Sequence, residues 1–87
     1  MDYNKCADIF KAIGHPVRLK ILKGLTTNNN CNVNDMVEKL SIPQSTISQH
    51  LGVLRNLGII TPEKTGVKTC YKISNPKIDK ILSLIEE

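Results

Sequence analysis

The chain has 87 residues, 12 lysines and arginines against 8 aspartates and glutamates, and a formal net charge of +4. That length suits one domain with one small core, favours support from a second subunit, and excludes a cleft built between two domains. No unbroken apolar run is long enough to span a bilayer, and the aromatics Tyr3, Phe10 and Tyr71 are too few to form a stacking platform for single-stranded nucleic acid.

The first helical pattern runs over 3–13, where Tyr3, Ala7, Phe10 and Ile13 recur at spacings of three and four, with Cys6 and Ile9 alongside. Gly14 stops it. His15-Pro16 opens a second helix over 16–25, with Pro16 suited to the first helical position and Val17, Leu19, Ile21, Leu22 and Leu25 forming its apolar stripe. Arg18, Lys20 and Lys23 are left for solvent. Thr26-Thr27-Asn28-Asn29-Asn30 is too polar for a helix and reads as a loop.

Asn32 then caps a short helix over 33–40 that buries Val33, Met36, Val37 and Leu40. After the tight link Ser41-Ile42-Pro43, a fourth helix over 44–57 carries Ile47, Leu51, Leu54 and Leu57 at alternating spacings of four and three, and Gly58 ends it. Two β-rich runs around Gly66 predict a hairpin over 59–73, with Pro62 confined to an edge or an interruption. Asn75-Pro76 caps a last helix over 76–86, with Ile78, Ile81, Leu82 and Ile85 on one face and Leu84 beside them. The fold class is mainly α (α+β).

A short helix, a tight turn, a second helix and a hairpin make a winged helix-turn-helix, whose second helix enters the major groove of a duplex. The exposed face predicted for that helix holds Gln44, Ser45, Thr46, Ser48, Gln49, His50 and Arg55, with no acidic residue. Gln can pair with adenine, Ser and Thr serve donor or acceptor sites, and Arg holds phosphate. His50 can instead bond a neighbouring side chain. Residues 44–72 hold Arg55, Lys64, Lys68 and Lys72 against Glu63 alone, so +3 of the net charge lies there. Lys64 and Lys68 flank the hairpin tip, where contacts to backbone phosphate belong. The expected partner is therefore double-stranded DNA. The alternative is a protein-interaction module that presents the same basic face to an acidic partner without specific DNA readout. No nucleophile pair or Gly-rich phosphate loop points to an enzyme.

The stretches Ile13-Gly-His-Pro-Val-Arg-Leu-Lys-Ile-Leu22, Pro43-Gln-Ser-Thr-Ile-Ser-Gln-His-Leu51 and Val53-Leu-Arg-Asn-Leu-Gly-Ile-Ile60 resemble the ArsR/SmtB family of bacterial and archaeal repressors. The similarity covers nearly the whole chain and, with Tyr71-Lys-Ile-Ser-Asn-Pro-Lys77, is nearest to PagR-like members. The resemblance implies one ArsR-type domain over 1–87. It also implies a homodimer built by the helices near Tyr3–Ile13 and Ile78–Ile85, repressing transcription from a palindromic operator. The apolar faces of those two helices independently exceed what one short chain covers.

Many family members hold a metal through a Cys-Val-Cys-Asp pattern opening the third helix, where this chain has Asn32-Val33-Asn34-Asp35. Asn is a poor ligand for soft metals. The other familiar site uses Asp and His on the last helix, and no His follows His50. No metal or cofactor is therefore expected. Three widely spaced cysteines do not suit a disulfide scaffold. Cys31, next to a helix N-terminus, and Cys6 are the candidate thiol sensors, with a Cys6–Cys31 metal site across the dimer as the alternative and Cys70 a small packing residue. The start Met1-Asp2-Tyr3-Asn4-Lys5-Cys6 has no apolar signal core, so the cytoplasm is the expected compartment.

Overall fold

A computed structural model describes residues 1–27 and 31–86. Its elements follow in the order α1 (Tyr3–Ile13), α2 (Pro16–Thr26), α3 (Val33–Leu40), α4 (Gln44–Asn56), β1 (Ile60–Thr65), β2 (Lys68–Ile73) and α5 (Pro76–Ile85). Asn28, Asn29 and Asn30 of the expected loop lie outside the described residues. Thr26, expected in that loop, closes α2 instead, because its hydroxyl donates back to the Lys23 carbonyl and Thr27 does the same to Gly24.

Local chemistry sets each boundary. Asp2, Asn32 and Asn75 cap α1, α3 and α5 by accepting backbone N–H groups of the first turn. His15 does this for α2 with a ring nitrogen, its Nδ1 accepting from the Val17 amide at 3.1 Å. At the end of α4 the Gly58 amide donates to Arg55 and the Ile59 amide to Leu54, a paired closure that requires the left-handed backbone of Gly58 (φ +72°). Leu57 is therefore the cap rather than the last helical residue, and it stays 38 % exposed.

One apolar cluster joins the elements. Ile21 and Leu22 of α2, Met36 of α3, Ile47 and Leu54 of α4, Ile59 and Ile60 at the entry to the hairpin, and Ile78 of α5 are fully buried. The α1 stripe behaves differently from its helical pattern. Ala12 and Ile13 reach the core, but Tyr3, Ala7 and Phe10 face solvent, because none of the described residues covers that side. Leu84 and Ile85 of α5 are exposed as well.

The hairpin is antiparallel, with Ile60 opposite Ile73 and Thr65 opposite Lys68. Gly66 and Val67 make its two-residue turn, with the positive φ of Gly66 (+63°) supplying the twist that a tight hairpin needs. Pro62 pairs with Tyr71, whose amide points away from β1 and donates to the Cys31 carbonyl at 2.7 Å. That pair is thus a non-hydrogen-bonded one, and the missing N–H of Pro62 removes no rung of the ladder.

Candidate nucleic-acid interface

The turn between α3 and α4 aims the second helix. Ser41 adopts a left-handed backbone (φ 56°), its amide closing α3 on the Val37 carbonyl, and Ile42-Pro43 lead directly into α4. Ile47, Leu51 and Leu54 anchor α4 in the core. The opposite side leaves Gln44, Ser45, Ser48, Gln49 and Arg55 exposed, while Thr46 and His50 are half-buried at its margin. No acidic residue lies in the first turn. Pro43 offers no side-chain cap, so the leading N–H groups of α4 have no side-chain partner, the arrangement that accepts a phosphate oxygen.

Beyond α4 the hairpin projects as a wing. Lys64, one residue before the Thr65-Gly66-Val67-Lys68 turn, and Lys68, its last residue, stand exposed, and Val67 at the tip is 98 % exposed. Lys72 is partly engaged, 3.6 Å from Glu63 on the facing strand. The two lysines at the tip therefore carry the wing's positive charge, as the sequence pattern expects. Val67, an apolar residue held out at the tip, has no counterpart in that expectation.

His50 sits in a cluster of three basic groups. Arg18 of α2 donates from Nε to His50 Nδ1 at 3.1 Å and from a terminal nitrogen to the Ala12 carbonyl at 3.1 Å. The His15 and His50 rings lie 4.6 Å apart, tilted by 49°. Partial burial, then the neighbouring His15 and Arg18, hold the His50 pKa below its ordinary value of 6.5. Arg18 reads from the sequence as a solvent-facing cation, yet it is half-buried between helices.

The cysteines depart most from expectation. Cys31 is joined to Cys70 in a disulfide, with Cα atoms 4.6 Å apart, and Cys6 stands free in a groove between α1 and α5. The reading of Cys70 as a packing residue is corrected: Cys31 precedes α3, where the backbone bond from Tyr71 brings β2 alongside and places the neighbouring Cys70 within reach. Nor do the residues at the start of α3 fit a thiolate metal site. The Asn32 side chain accepts from the Asp35 amide at 2.8 Å, and the nearest sulfur is bonded to Cys70. Among the described residues no three His, Cys, Asp or Glu side chains converge.

The sequence profile described as bacterial regulatory protein, arsR family, matches residues 15–61. An uncharacterized HTH-type transcriptional regulator of Methanocaldococcus jannaschii is 41 % identical over 85 residues, covering 98 % of this chain and 96 % of that protein. The transcriptional repressor PagR of Bacillus anthracis is 37 % identical over 79 residues, covering 91 % of this chain and 79 % of the repressor. Its crystal structure superposes with a TM-score of 0.89 over 99 % of this chain and 98 % of that one, at 35 % identity. Reduced HlyU from Vibrio cholerae superposes with a TM-score of 0.86 at 28 % identity, over 97 % of this chain and 87 % of HlyU.

Proposed function

The chain belongs to the ArsR family of bacterial regulatory proteins, and we propose that it represses transcription as a homodimer that reads a palindromic operator through α4 and its wing. It is a DNA-binding transcriptional regulator and not an enzyme. The observation that carries the operator reading is the acid-free exposed face of α4, with an N-terminus that no side chain caps, followed by a wing with a lysine on each side of its tip.

Within this reading Gln44, Ser45, Thr46, Ser48, Gln49 and His50 meet base edges or position the helix, while Arg55, Lys64 and Lys68 hold phosphates. Two such helices in a two-fold dimer meet successive major grooves, and that geometry asks for inverted half-sites about one helical turn apart. The dimer is supported by the uncovered apolar side chains of α1 and α5: Tyr3 is 78 % exposed, Phe10 60 %, Leu84 84 % and Ile85 59 %. The 1–87 span acts as one DNA-binding unit in the cytoplasm. Among the described residues no helix is long and apolar enough to cross a membrane.

A thiol signal acting on this interface is favoured by the Cys31–Cys70 bond, which ties the start of α3 to the wing strand β2. In the reducing cytoplasm such a bond forms transiently. The two thiols give up two protons and two electrons, reducing a low-molecular-weight disulfide to two thiols or a hydroperoxide to alcohol and water. The oxidised chain has the wing clamped to the helix-turn-helix; the reduced chain keeps only the backbone bond from Tyr71 to Cys31 and the core contacts.

A gel shift with the chain's own upstream region tests both readings. A saturable complex, displaced by the unlabelled duplex and not by a scrambled one, is expected; binding indifferent to sequence leaves only a basic module for acidic partners. Repeating the titration with reduced and oxidised protein should change affinity, and Cys31→Ser should abolish the difference. Equal affinities in both states dismiss the thiol signal alone.

A further inference from the structure

Arg18 is the one cation of α2 whose side chain bridges two other helices. Its Nε donates to His50 Nδ1 on α4, and a terminal nitrogen donates to the carbonyl of Ala12 in the last turn of α1, both at 3.1 Å. The second bond satisfies a carbonyl at a helix end, where intrahelical partners run out. The first has a consequence for protonation. A guanidinium has only donors, so the His50 nitrogen that faces it must present a bare lone pair. Neutral His50 therefore carries its proton on Nε2.

The same logic fixes its neighbour. His15 Nδ1 accepts from the Val17 amide, so that ring too keeps its proton on Nε2 while lying 4.6 Å from His50. His50 thus has His15 beside its ring and Arg18 on one nitrogen, and its remaining polar hydrogen is the Nε2–H of a half-buried residue that follows the exposed Gln49 in α4.

We infer that Arg18 is a positioning residue for DNA recognition: it locks His50 in the Nε2–H tautomer as a fixed donor beside Gln49, and ties α4 to the end of α1. The inference rests on α4 being the helix that meets the duplex. Lysine cannot replace Arg18, because one ammonium on a flexible stem lacks the planar fork that serves two acceptors at once. The bridge also connects a helix assigned to the dimer with the helix assigned to the operator, so their relative placement passes through one side chain.

The test uses the full chain. Long-range proton–nitrogen spectra of the wild type should show His50 protonated at Nε2 alone, and Arg18→Ala should give a mixture of tautomers. Binding is then measured to a duplex of the upstream region for Arg18→Ala, His50→Ala, the double variant and Arg18→Lys, with thermal melts confirming that each folds. Each single alanine variant should lose about tenfold in affinity, the size of one charge-assisted hydrogen bond, with no further loss in the double variant. Arg18→Lys should fail to rescue. Were Arg18→Ala not to fold, Arg18→Lys supplies both the spectrum and the affinity.

Three results overturn the inference: a wild-type His50 protonated at Nδ1, an unchanged affinity in Arg18→Ala, or a loss that persists undiminished in the His50→Ala background. The last, with a salt slope reduced by about one, would make Arg18 a direct phosphate contact. If the wild type itself shows no preference for the duplex sequence, the operator reading fails, while the spectrum still decides the tautomer.

Discussion

In the proposed interface the side chains of α4 and the wing would divide the work of binding in ways that separate experimentally. Gln44 and Gln49 are exposed amides that can pair bidentately with adenine, so replacing either with Ala should cost about 1–3 kcal/mol at one base position and relax specificity there. Lys64→Ala and Lys68→Ala should instead weaken binding to every sequence alike and lower the salt slope by about one each. Fluorescence anisotropy on single-base variants of the duplex, at several salt concentrations, distinguishes the two patterns. His50 adds a dependence on pH. Its folded pKa is depressed below 6.5, by partial burial first and then by His15 and Arg18. Between the depressed and the ordinary value the unfolded chain binds more protons, so the contribution to stability is complete above about pH 6.5 and is lost as pH falls through the folded value. Thermal melts from pH 7.5 to 5.5 should show a steeper loss for the wild type than for His50→Gln; parallel slopes would contradict the assignment. None of the Arg18 geometry was read from the sequence, because a lone arginine in an amphipathic helix looks the same whether it faces water or another helix.

Elements were more legible than contacts. Period and punctuation suffice for α3 and α4: Met36, Ile47 and Leu54 fall on the buried side, and Asn32 and Gly58 mark ends by backbone chemistry that needs no tertiary information. The hairpin announced itself through Gly66, although Pro62 left its pairing open until the outward-pointing amide of Tyr71 resolved it. The Cys31–Cys70 bond could not be read this way, since 39 residues separate the two and only the packing of β2 against the start of α3 brings them together. The turn that aims α4 carries a measurable cost. Ser41 holds a left-handed backbone at φ 56°, a conformation that a side chain disfavours. Ser41→Gly should therefore raise stability by about 0.5–1 kcal/mol, after the greater freedom that glycine gives the unfolded chain is offset. A lower urea midpoint for that variant would show that the Ser41 side chain contributes more than its backbone loses.

At the scale of the whole molecule, the net charge of +4 matters through its placement, with +3 of it in residues 44–72. Phe10 of α1 and Leu84 of α5 are exposed, and they belong to the surface proposed above to be covered by a second copy. Phe10→Asp should give a monomer by analytical ultracentrifugation, with operator affinity reduced at least tenfold because one reading helix no longer brings the second. Its melting temperature should also lose the dependence on protein concentration that a dimer shows. A Phe10→Asp protein that remains a dimer would move the interface elsewhere. Whether α4 and the wing read the sequence of a duplex is decided by competition. Affinity for the upstream duplex and for a scrambled duplex of equal length is measured across a salt series. Both should fall steeply with salt while the upstream duplex stays at least a thousandfold tighter. Equal affinities for the two duplexes at every salt concentration would contradict that reading.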